Sequence, residues 1–192
     1  ATHIAIALCS ALNAMGYPCL YYEENESRCL MKMARWQHQM AEHREGYYTY
    51  RHFQGYPKYG TGIRISRPNN ILAVMDYGTI AEDFEPKDFD LLLLICPDAS
   101  WHRDDVIEKT KLLRPYQNRL KPVCNPGERE AARFYAKQFQ APVYPYFGDA
   151  DPFRVERRKE LFVKQLLSLP EKGRKNPFLS AKGKHIIKKP FA

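Results

Sequence analysis

The chain has no apolar run approaching the roughly 18 residues that a membrane-spanning helix requires, and no basic cluster precedes its apolar opening, ATHIAIALCSA. Neither an anchor nor a signal peptide is expected, so the expected location is cytoplasmic. It also has no C-x-x-C pair. Its five cysteines, Cys9, Cys19, Cys29, Cys96 and Cys124, form an odd set, four of them in or beside apolar stretches, which reads as reduced core thiols rather than disulfides or a metal site. His38 and His43 lie five residues apart, the wrong spacing for a helical metal pair, and no histidine is assigned to a site. No nucleophile, base and orienting group can be read from the cysteine and histidine spacing, and no internal repeat is present.

Acidic residues are missing from one region in particular. From Lys172 to Ala192 there are seven basic residues, Lys172, Arg174, Lys175, Lys182, Lys184, Lys188 and Lys189, and no acid. The formal net charge is +8, so everything before that stretch is close to neutral. Residues 171–192 therefore read as a basic tail or linker, and 1–170 as a single domain. At 192 residues with 44% hydrophobic and 13% aromatic content, the chain can fill one sizeable core.

The apolar residues of Thr2 to Met15 surround most of a helical circumference, and Gly16 follows as a stop, which predicts a buried helix. After Pro18, CLYYEEN predicts a strand ending in acids, and Ser27 to about Arg44 a second helix with Leu30, Met33, Ala34 and Met40 inside. The tyrosine- and glycine-rich stretch from Gly46 to Pro68 predicts one or two edge strands and a loop. Its mix of Tyr47 to Tyr59 with Arg51, Lys58 and Arg64 also fits a single-strand nucleic-acid surface, with an ordinary edge sheet as the alternative. Ile71–Met75 and Leu91–Cys96 are continuously apolar, as expected of parallel strands covered on both faces. Leu120–Cys124 and Val143–Phe147 supply further strands, and Asp104–Leu113, Glu128–Phe139 and Phe153–Leu169 the helices between and after them. The expected class is α/β: three layers, a mostly parallel sheet with helices on both faces.

In such sheets ligands bind outside the carboxyl ends of the strands. Those ends carry Glu23, Glu24 and Asn25; Asp76, Tyr77 and Gly78; Pro97 and Asp98; and Asn125 and Pro126. Carboxylates can act through metal-bound water, a glycine amide can reach a phosphate, and an amide side chain can pair with a base edge. The plainer readings are a turn at Asp76–Gly78, a turn at Asn125, a helix cap at Thr2, a cap at Asp98 and a solvated strand end at Glu23 and Glu24.

The order of these pieces resembles the ParA/MinD family of P-loop ATPases. THIAIALCSALNAMGYPCLYYEEN is similar to the end of the phosphate loop, its helix and the second strand; VMDYG to the Walker B strand with its D-x-G; LLICPD to the strand with a Pro-Glu pair; and PVCNP to the strand ending in an adenine-contacting Asn. The resemblance implies a P-loop fold, ATP and Mg2+ as cofactors, Thr2 and Asp76 as magnesium-linked residues, Asp76 and Glu23 in catalysis, and Gly78, Pro97 and Asn125 at the nucleotide. It places Ala1 where the loop lysine belongs and the first strand and glycine-rich loop upstream of Ala1. The signature lysine of that loop is not in view, and Asn25 replaces a second acid.

A degenerate loop of this kind occurs in CpaE/TadZ-type relatives, which position pilus and secretion machinery. The implied function is a regulatory or positioning factor with weak or no ATP hydrolysis, active as a homodimer around nucleotide, with pilus, secretion or chromosome-positioning machinery as partner. Two other readings stand beside it. One is a non-catalytic module whose basic tail contacts DNA or an anionic membrane, making it peripheral to that surface. The other is a transferase on a similar fold.

Overall fold

The computed structural model describes residues 1–37, 39–59, 71–80, 84, 89–97, 99, 102–125, 129–146 and 150–169. The basic stretch from Lys172 onward, His38, Arg64, Asp98 and the Pro126–Gly127 pair lie outside the described residues.

The opening helix, α1 (Thr2–Ala14), is as buried as its composition requires, with Ile4, Ile6, Leu8 and Leu12 all in the core. It ends in a Schellman arrangement. Gly16 takes φ +85°, the Tyr17 N–H donates to Leu12 O at 2.9 Å, and the Gly16 N–H donates to Asn13 O at 3.0 Å. The Asn13 side chain then stitches the helix to the next strand: its Nδ2 donates to Cys19 O and its Oδ1 accepts from Cys19 N–H, both at 2.8 Å. Through this tight joint, α1 packs back along β1 (Cys19–Glu23), which puts Thr2 at the end of the helix toward the carboxyl end of that strand.

Strand β1 sits inside a five-stranded sheet. The other strands are β2 (Ala41–Glu42), β3 (Tyr48–Tyr50), β4 (Phe53–Tyr56) and β5 (Leu72–Asp76), in the order β2-β3-β4-β1-β5. β1 is parallel to β4 and β5, while β2, β3 and β4 form an antiparallel meander. A second, parallel sheet contains β6 (Leu92–Pro97), β7 (Leu120–Asn125) and β8 (Tyr144–Pro145) in that order. Helices α2 (Cys29–Trp36), α3 (Arg103–Thr110), α4 (Arg129–Phe139) and α5 (Arg157–Leu167) complete the described elements, with a 3-10 helix at Lys111–Arg119. The class is α/β.

One core joins both sheets. Side chains of α1 and α5 pack with Tyr21 and Phe53 of the first sheet and with Val123 of the second, and Val74, Leu93 and Ile95 lie against the same cluster. Leu94, Cys96 and Cys124 point to the other face, against Leu113 and Tyr135. The back of the first sheet carries a row of rings: His43 stacks on Tyr47 at 4.3 Å, Tyr47 meets Tyr56 at 5.5 Å, and Tyr56 stacks on Tyr22 at 5.2 Å.

Four expectations need correction. The second helix stops at Trp36 instead of continuing to about Arg44: residues 41–42 pair with β3 instead, and Met40 is buried in the main core. The tyrosine-rich stretch is not the edge: β4 lies between β3 and β1, and Tyr48, Tyr50, Phe53 and Tyr56 are buried, so most of its rings serve the core rather than a nucleic-acid surface. Strand β5 is covered only in part: Leu72 and Val74 are half-buried against the main core and Ala73 against the Leu20, Tyr22 and Tyr56 cluster, while Met75 is 41% exposed. Finally, the helix expected over 104–113 tightens after Thr110 into the 3-10 form around Pro115, which has no N–H for an α-helical bond.

The cysteines are free thiols; Cys9, Cys19, Cys96 and Cys124 are buried and Cys29 is partly so.

Candidate functional site

Two acids meet where β1 and β5 end. In this parallel pair Glu23 is in register with Asp76, and both are buried, at 1% and 4% exposure. Glu23 is therefore no solvated strand end. Its Oε1 accepts from the Ser27 hydroxyl at 3.0 Å and from the Cys29 N–H at 2.5 Å, so the carboxylate supports the first turn of α2. That helix needs such support: its N-cap, Arg28, adopts a left-handed φ of 53° and contributes no side-chain cap.

Asp76 is held on both oxygens. Oδ2 accepts from the Tyr21 hydroxyl at 2.9 Å, and Oδ1 accepts from the Gly78 N–H at 2.9 Å. The second bond closes an Asx turn in which Gly78 takes φ +69°. The backbone oxygen of Asp76 accepts from the Glu24 N–H and from Asn25 Nδ2, both at 2.9 Å. Asn25 also accepts the Ser27 N–H on its Oδ1 at 2.9 Å. Asn25 and Gly78 press together so closely that a Cβ on residue 78 would lie 2.9 Å from Asn25 Cβ. The loops after β1 and β5 thus form one hydrogen-bonded rim on two buried carboxylates.

The field of that pair is felt by its neighbours. Burial, then the Asp76 charge and hydrogen bond, hold the Tyr21 hydroxyl protonated far above its ordinary range. Burial, then Glu23 and Asp76, raise the Cys29 thiol, so Cys29 is a poor nucleophile here.

Pro97 and Asn125 form a second group: they are the last registered pair of β6 and β7, and Pro97 O accepts from the Tyr135 hydroxyl at 2.9 Å. Thr2 is the first residue of α1, with Ala1 as N-cap and no side-chain cap bond, so the cap reading of Thr2 does not hold. The adjacent His3 ring stands edge-on to Tyr146 at 6.2 Å, and the Tyr146 N–H donates to Cys124 O at 2.9 Å. Glu23, Asp76 and Gly78 are thereby brought together at one sheet end, and His3, the residue after Thr2, meets Tyr146 near the carboxyl end of β7.

Tyr21 is the site residue that the sequence reading missed. Its signal was present: two positions before Glu23 in a strand, it shares that residue's face.

Both Asp76 oxygens, Glu23 Oε1 and the N–H groups of Glu24, Ser27, Cys29 and Gly78 are already paired within the rim, so a cation or phosphate there would compete with these internal bonds. Among the described residues no group of three His, Cys, Asp or Glu side chains could cage a metal. Mg2+ does not need such a cage, since it keeps several waters and uses one or two carboxylates with substrate phosphates. The donor set fits a Mg2+–nucleotide at its acidic end only: Ala1 provides no side-chain cation for phosphate. Comparison with protein-family models, with curated proteins and with solved structures finds no match to this chain.

Proposed function

We propose that the chain is a ParA/MinD-like nucleotide-binding unit with a degenerate phosphate site, acting as a regulatory or positioning factor with weak or no ATP hydrolysis. The observation that carries this reading is the buried Glu23–Asp76 pair at adjacent parallel strand ends, closed by the Asp76–Gly78 turn. Thr2 and Asp76 are the residues to hold a Mg2+–nucleotide, and that group would supply the charge neutralisation that phosphoryl transfer requires.

The rest follows from this chain's own groups. Asp76 accepts the Gly78 N–H, so a phosphate approaching that amide must first displace an internal bond, which weakens binding. Tyr21 keeps its proton and keeps Asp76 oriented. Ala1 brings no cation to offset developing charge, and turnover should be slow.

The test is a titration with Mg2+–ATP followed by melting temperature, alongside phosphate release. At ten times Kd, binding to the folded state alone adds about 1.4 kcal/mol, or a rise of about 3–5 °C for a domain of this size. The rise should shrink in Asp76→Asn, which keeps the shape of the turn but not the charge. No shift at millimolar ATP would reject nucleotide binding. Fast Mg2+-dependent hydrolysis abolished by Asp76→Asn would reject the degenerate site.

A further inference from the structure

Strands β6 and β7 put two thiols side by side. Cys96 is in register with Cys124 across this parallel pair, one residue before Pro97 and Asn125. Both side chains enter the cluster that contains Leu113 and Tyr135, both are 0% exposed, and neither is in a disulfide. No other two cysteines are registered strand partners among the described residues. Neighbouring parallel strands lie about 4.8 Å apart, inside the roughly 4.4–6.8 Å Cα separation that a disulfide spans. The two groups also act on each other: burial, then the charge of Cys124, push the Cys96 thiol above its ordinary range.

We propose that Cys96 and Cys124 form a reversible redox pair, which a small hydroperoxide closes to a disulfide across the carboxyl ends of β6 and β7. In the first step one sulfur, as thiolate, attacks the hydroperoxide. The O–O bond breaks, the thiol's proton goes to the departing oxygen as water or alcohol, and a sulfenic acid remains. The second thiol then attacks that sulfur, the S–O bond breaks, and the second proton leaves with the oxygen as water while the S–S bond forms. The thiols lose two electrons and the hydroperoxide gains them. A dithiol reductant reverses the change by exchange, itself becoming a cyclic disulfide.

Burial selects the oxidant. Reaction waits until the strand ends part locally and Cys96 Sγ leaves Leu94 O, its acceptor at 3.6 Å. A small uncharged hydroperoxide enters such an opening more readily than a bulky charged disulfide. Side-by-side strands do not aim their Cβ atoms at each other, so the link closes under strain, and strained disulfides are the readily reduced ones. Its effect falls on the ends that carry Pro97 and Asn125, since Tyr135, in the same cluster, donates to Pro97 O at 2.9 Å. The pair does not rest on the nucleotide reading.

The test exposes the whole reduced chain to about 1 mM hydrogen peroxide near neutral pH for about a day, then denatures, alkylates and digests it without reduction. The peptides carrying Cys96 and Cys124 should be recovered joined, about 2 Da lighter than their sum, and dithiothreitol should separate them again. Cys29→Ser, which removes the partly exposed thiol, should leave this oxidation unchanged. Cys96 and Cys124 remaining unlinked overturns the proposal, as does linkage to Cys9 or Cys19 in their place. Oxidation to sulfinic acid that dithiothreitol does not reverse also overturns it, and so does a link that Cys29→Ser abolishes.

Discussion

Tyr21 and Glu23 lie two positions apart on one strand face, and each has a buried polar group committed to a neighbour. Removing the Tyr21 hydroxyl leaves Asp76 short of a donor in a buried setting, so Tyr21→Phe should cost about 1–2 kcal/mol, measured by urea unfolding at pH 7. The pH dependence has a definite sign. The folded state keeps the Tyr21 proton while the unfolded chain loses it near pH ~10, so stability is fully present below that value and falls as pH rises above it. The variant should lose less stability than the parent between about pH 9.5 and 11; equal slopes would remove Tyr21 from that account. Glu23→Ala strands the Cys29 N–H and the Ser27 hydroxyl and should cost about 1–3 kcal/mol in the same assay. The acids at these strand ends were legible in the sequence because an apolar run ending in Asp or Glu marks where a parallel strand leaves the sheet. Their burial was not, since it depends on donors from three separate segments closing over them.

Among the elements, the rim depends on a glycine that the sequence already singled out. Gly78→Ala imposes a Cβ on a left-handed φ and drives it against Asn25, an expected cost of about 1–3 kcal/mol. Combining it with Asn25→Gly removes the collision but not the backbone strain, so thermal melts of the double-mutant cycle should show partial relief of the Gly78→Ala cost. Asn13→Ala should be destabilising by about 1–3 kcal/mol, because it deletes both bonds that join α1 to β1. Helix α1, strands β1 and β5 to β7 and helix α4 were legible, as each has a recognisable apolar run or apolar helical face with clear punctuation. Helix α2 was not. Its pattern continues past Trp36, and what replaces the helix is a short hairpin, residues 41–42 paired with β3, that the apolar periodicity of the segment does not announce.

For the whole molecule, the shared core has a consequence for folding. Leu166 on α5 and Ile4 on α1 are buried in a cluster that also contains Val123 of the second sheet and Tyr21 of the first. Leu166→Ala should therefore cost about 2–5 kcal/mol and lower the stability of both sheets together. Hydrogen exchange should report matching losses of protection in β1 and β7, and protection lost from β7 alone would mean that the sheets unfold independently. The α/β class was legible from alternating segments. The division into two sheets was not, because sequence order does not reveal which strands are neighbours. The row formed by His43, Tyr47, Tyr56 and Tyr22 gives the molecule a built-in optical gauge. Phenol chromophores this close couple their transitions, so near-ultraviolet dichroism from the row will register the docking of separate backbone segments.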